Sequence, residues 1–192
     1  MPSHANLVQG EIPEIGNLET ITATGNCCSG VQGMKYAYMN IANGFVKNAV
    51  SSASERISKS MHSDNFEAEV KNLNKLEENN FIAFEKDFLR WMLSDGAGAA
   101  FLTSEKPKDQ LSLKIDFIEI KSYANEVDTC MYMGGEKDEH GKMISFKDLT
   151  PDEVKNRTIF SVKQDVKLLS ENILEFGVKM QKDVLNKHKL TT

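Results

Sequence analysis

Two adjacent cysteines, Cys27 and Cys28, are the residues of this chain best placed to do covalent chemistry. They follow a β-tolerant run, Thr20-Ile21-Thr22-Ala23-Thr24, and a small-residue turn at Gly25-Asn26. Ser29-Gly30 come next, then a pattern in which Val31, Met34, Tyr38, Ile41 and Phe45 recur at three- and four-residue steps, one face of a helix. Gly44 is placed to end that helix. A thiol between a strand and the first turn of a helix faces unpaired amides and the positive end of the helix dipole. Both favour an anion, and so thiolate over thiol. Either Cys27 or Cys28 is therefore a candidate nucleophile, and the competing reading is that each only packs, because cysteine is among the most buried residue types.

The other reactive side chains offer less. Cys130 has no base near it in sequence that would give it a role. His62 falls in a polar stretch and reads as a solvated surface residue, and His140 lies in the charged run Gly135–Lys142. His188 stands where a long helix should end, and a cation there is favoured by the dipole. No C-x-x-C or Cys/His metal spacing occurs, so no metal and no cofactor is implied. Ser94-Asp95-Gly96-Ala97-Gly98-Ala99-Ala100 has neither the G-x-G-x-x-G spacing nor a following Lys-Ser/Thr, which excludes dinucleotide and P-loop sites. Its glycines suit either close backbone approach within a sheet beside the active site, the favoured reading, or a plain turn into a strand.

The elements that would position these residues read as follows. Residues 3–11 form a short helix capped by Ser3, and 13–18 a turn. Residues 48–54 are a second strand, so the order strand, helix, strand implies a parallel crossover and an α/β layered fold. Residues 58–82 are an exposed polar insertion, and 84–93 place Phe84, Phe88, Trp91 and Met92 on one helical side. Leu111, Leu113, Ile115 and Phe117 alternate, which predicts a long strand over 111–121. Residues 128–142 read as an irregular or hairpin-like excursion. Thr150-Pro151-Asp152-Glu153 starts a helix with a capping box. Val162, Val166, Leu169, Ile173, Phe176, Met180 and Val184 mark one face of a last long helix.

Composition narrows the class. At 192 residues, 40% hydrophobic and 27% charged, the chain is ordinary globular protein. A net charge of −5 with no basic stripe argues against nucleic acid. Three cysteines do not make a disulfide framework, which fits a reducing, cytoplasmic setting. No run is long enough to span a membrane, and the start has no signal-peptide pattern.

Three features together resemble a known family. Gly25-Asn26-Cys27-Cys28-Ser29-Gly30 opens a helix, a small-residue strand ends at Ser54-Glu55, and Asp95-Gly96-Ala97-Gly98-Ala99 follows. The combination resembles the 3-oxoacyl-ACP synthase III (ketoacyl synthase III) branch of the thiolase-like condensing enzymes, most closely over 1–57 and 84–103. Pro2 to Gln9 looks like the helix that precedes the cysteine strand in that family. Residues 158–190 look like the long helix that opens the second half of its duplicated fold. The resemblance implies an α/β, thiolase-like layered fold. Residues 1–157 would be the amino-terminal half, incomplete at its start and with an insertion at 58–83. Residues 158–192 would be the truncated first helix of the carboxy-terminal half.

It further implies that Cys28 is the acyl-accepting nucleophile and Cys27 a packing neighbour. Acyl transfer to Cys28 would be followed by decarboxylation of a malonyl thioester and attack of the carbanion on the acyl-enzyme, in fatty acid or polyketide-like synthesis. The Cys28 amide would supply part of an oxyanion hole. The implied partners are acyl-CoA or acyl carrier protein thioesters and a second copy of the chain, paired through 47–54. The family's catalytic histidine and asparagine follow the helix that ends near Leu190, and no residue here matches them, so this chain alone is expected not to condense. The other reading is a non-catalytic thiolase-like subunit in a split or heteromeric synthase. The expected sheet contains 19–24, 48–54, 97–103 and 111–121, with the helix over 28–44 buried against it.

Overall fold

The computed structural model describes residues 2–66, 89 and 91–191. The expected helix side at 84–93 falls mostly outside these, as does the insertion beyond residue 66. The chain divides into two units, Met1–Ser54 with Gly96–Ile120, and Glu55–Asp95 with Lys121–Thr192.

In the first unit, α1 (His4–Gly10) starts as its cap predicts, with the Asn6 amide donating to Ser3 Oγ at 3.3 Å. The Ala5 amide donates to Thr22 Oγ1 at 3.0 Å, and Thr20 Oγ1 donates to Asn6 Oδ1 at 2.6 Å. These bonds hold α1 against residues 20–22, which form no strand. The strand expected over 19–24 is therefore absent. β-tolerant residues become a strand only where a neighbour completes the backbone ladder, and here Thr20 and Thr22 bond to α1 through their side chains instead.

Helix α2 (Ser29–Ala42) ends where Gly44 was expected to stop it, with Gly44 at φ +73° and its amide donating to Ile41 O at 3.0 Å. It is not buried as expected. Only Ala37 is buried along it, while Met34, Tyr38 and Ile41 are half-buried and Val31, Tyr36 and Met39 are exposed. The reason is the thinness of what it packs on, strands β1 (Asn48–Glu55) and β2 (Gly96–Thr103), which form a two-stranded sheet. The Ser104 amide donates to Lys47 O at 3.0 Å beyond one end, and the Ser58 amide donates to Asp95 Oδ1 at 2.8 Å beyond the other. Partners that converge in this order make the pair antiparallel. The parallel crossover expected between 20–24 and 48–54 does not form, because 20–24 is not a strand. Residues 111–121 join no sheet, and Leu111 and Leu113 are almost fully exposed. Their alternation is real, but no described strand flanks them to complete a ladder. The described residues are thus mixed α and β with small sheets, and among them no thiolase-like layering is present.

In the second unit, β3 (Met131–Tyr132) pairs antiparallel with β6 (Lys163–Gln164). Strands β4 (Gly135–Lys137) and β5 (Met143–Ser145) make a hairpin whose second strand lies beyond the excursion expected over 128–142. Asp138 Oδ1 closes its turn, accepting from the amides of His140 and Lys142, both at 2.9 Å. Helix α3 (Pro151–Asn156) carries the complete capping box of Thr150 and Glu153. Ile159 is fully buried beyond it.

The last helix, α4 (Val166–His188), begins later than its apolar pattern suggested. Val162 lies outside it, because residues 163–164 pair as a strand and Asp165 caps the helix by accepting from the Leu168 amide at 3.0 Å. Tyr123 packs on Phe176 with ring centroids 4.4 Å apart, and Lys121 pairs with Asp183 at 2.6 Å.

Candidate functional site

Around Cys28 the chain turns sharply. Gly25 takes φ +147°, and the Ser29 amide donates to Asn26 O at 3.1 Å. The helical ladder then begins with Gln32 N donating to Cys28 O at 3.0 Å. Cys28 is the N-cap of α2, in αR backbone conformation, and its side chain makes no capping bond. The sulfur is therefore not committed to the helix it heads. It is exposed, and so is Cys27. Cys27 thus does not pack as the resemblance implied. Cys130 is half-buried, and all three cysteines are free.

What limits the approach of α2 to the sheet is Gly30, the tight point in a line of small residues that the apolar periodicity did not reveal. A Cβ on Gly30 would lie 3.1 Å from Ala53 Cβ, and one on Gly33 4.0 Å from Ser51 Oγ. Gly30, Gly33 and buried Ala37 follow the same three- and four-residue spacing as the larger apolar residues. The signal was present in the sequence as glycines at helical spacing opposite the small-residue strand Asn48–Glu55. The β2 glycines behave otherwise. Neither Gly96 nor Gly98 would bring a Cβ within 4 Å of a described atom, so no close backbone approach explains them.

Asp95, next to that strand, accepts from Ser58 Oγ at 2.6 Å and from the Ser58 amide. Those two bonds hold its carboxyl below the usual carboxylate range. It therefore acts as an anchor for residue 58.

The histidines are dispersed. His4 lies 3.4 Å from Ser52 Oγ through Nε2 and 3.4 Å from Ser54 Oγ through Nδ1. Sequence reasoning missed this contact, although Ser52 and Ser54 share one face of β1 by their spacing. His62 pairs with Asp64 and His140 with Glu139, all exposed. His188 is the last residue of α4, as its place in the pattern predicted.

Among the described residues no group of three or more His, Cys, Asp and Glu side chains could hold a metal ion. No helix among them is long and apolar enough to cross a membrane. Compared with protein-family models and with curated proteins, the chain matches none.

Proposed function

We propose that this chain carries the acyl-accepting cysteine of a condensing acyltransferase similar to 3-oxoacyl-ACP synthase III, acting in fatty acid or polyketide-like synthesis. The supporting observation is the placement of Cys28, an exposed, uncommitted thiol at the head of a 14-residue helix. The sulfur attacks the carbonyl carbon of an acyl thioester. A new carbon–sulfur bond forms, the carrier thiol leaves, and the acyl group waits on Cys28 as a thioester. The Cys28 amide, which precedes the helical ladder, is one donor for the oxyanion.

The partners on this reading are acyl-CoA or acyl carrier protein thioesters and a second copy of the chain, in a cytoplasmic setting. The second copy would pair through 47–54 at a two-fold interface. Condensation needs further donors where charge develops on the decarboxylating thioester, and loss of such a donor commonly costs about a hundredfold or more. No residue here matches the family's histidine and asparagine, so these 192 residues should accept an acyl group yet form no carbon–carbon bond.

The test is incubation with a short acyl-CoA, followed by mass mapping. An adduct on Cys28 that survives Cys27→Ser and disappears in Cys28→Ser is expected. No adduct on Cys28 would instead favour the non-catalytic subunit. Carbon–carbon bond formation by these residues alone would show the catalytic donors to be misplaced.

A further inference from the structure

We propose that Cys27 and Cys28 form a reversible vicinal disulfide, with Cys27 as the resolving thiol, making the pair an oxidative modification site that responds to hydroperoxides. The first support is accessibility. A residue that merely packed beside the nucleophile would be covered, yet Cys27 is exposed, as is Cys28, and both are free thiols. The second is position. Both cysteines are the central residues of the turn that the Ser29 amide closes on Asn26 O at 3.1 Å, ahead of the helical ladder, which Cys28 joins only through its carbonyl. Rearranging the peptide between them costs that one turn bond and leaves the interior of α2 bonded.

The bond so formed would be strained. Neighbouring Cα atoms stand about 3.8 Å apart across a trans peptide, below the roughly 4.4–6.8 Å that relaxed disulfides span. Strain makes a disulfide easier to reduce, which suits a switch and not a permanent staple.

The chemistry balances with one hydroperoxide. Cys28 sulfur attacks the peroxide, a sulfur–oxygen bond forms, the oxygen–oxygen bond breaks and hydroxide leaves. This two-electron oxidation gives a sulfenic acid, and the peroxide is reduced. Cys27 sulfur then attacks the sulfenyl sulfur. The sulfur–sulfur bond forms, the sulfur–oxygen bond breaks, and the oxygen departs as water with the Cys27 thiol proton. The pair ends oxidised by two electrons, and Cys28 is protected from irreversible sulfinic and sulfonic acids. Silencing of acyl transfer is the consequence, and only that consequence rests on the function proposed above.

The test uses the whole chain. It is treated with limiting hydrogen peroxide, its remaining thiols are blocked with N-ethylmaleimide, and it is cut with trypsin. The first Lys or Arg is Lys35, so peptide 1–35 contains both cysteines while Cys130 falls in peptide 122–137. Peptide 1–35 should lose two hydrogens and take no maleimide, and should regain two reactive thiols after dithiothreitol. In Cys27→Ser the same peroxide should carry Cys28 on to sulfinic and sulfonic acids that dithiothreitol does not reverse. Wild-type peptide 1–35 that keeps two thiols overturns the proposal. So does sulfonic acid without loss of two hydrogens, or linkage to peptide 122–137 or to a second 1–35. A clean loss of two hydrogens in a chain that never takes an acyl group leaves the disulfide standing and removes only the acyltransferase reading.

Discussion

A Cβ on Gly30 would stand 3.1 Å from Ala53 Cβ, so that glycine sets how near the head of α2 comes to β1. Cys28 is two residues away, at the helix cap, and its place follows from that contact. Gly30→Val adds three carbons where even one makes a tight contact, and overpacking of this kind costs about 1–3 kcal/mol. We expect a lower thermal midpoint together with slower iodoacetamide labelling of Cys28 and unchanged labelling of Cys130. Equal labelling of Cys28 in both proteins would show that its reactivity does not depend on how α2 is seated. The cysteine was legible in the sequence because its turn, cap position and helix are local. The seating was not, because the large residues Val31 and Phe45 drew the helical face towards themselves and both proved exposed.

Among the elements, local grammar was read well. Ser3, Gly44 and the Thr150–Glu153 box all act where expected, since each device closes within four residues of chain. Strands were read less well, because membership of a sheet depends on a neighbour that sequence spacing does not name. Residues 19–24 and 111–121 have strand-like composition and no sheet.

Asp165 shows how a capping residue outside the apolar pattern moves a helix start. It accepts from the Leu168 amide at 3.0 Å and pairs with Lys137 at 3.3 Å, and these hold its carboxyl below the usual range. A carboxyl whose folded pKa is depressed contributes stability above its unfolded value, about 3.9 for Asp, and that contribution is lost as pH falls through the folded value. Helical melting followed by circular dichroism should therefore lose more stability between about pH 5 and pH 3 in the wild type than in Asp165→Asn, which keeps a capping oxygen but does not titrate. Parallel curves for the two proteins would contradict this account of the α4 cap.

For the whole molecule, each unit leaves apolar surface without a described partner. In the first unit Val50 and Phe101 are exposed on a sheet of only two strands, which is marginal alone. A strand edge so placed invites pairing with another chain. On the proposed assembly through 47–54, light scattering should give the mass of two chains, and Val50→Lys should give one. A wild type of single-chain mass at the same concentration would exclude that interface. The central claim, that Cys28 is the acyl acceptor, is tested most directly by timed iodoacetamide labelling of all three cysteines with and without a short acyl-CoA. The account predicts that Cys28 labels first and is protected by acyl-CoA, while Cys27 and Cys130 label at unchanged rates. Labelling led by Cys130, or acyl-CoA that leaves Cys28 unprotected, would contradict it.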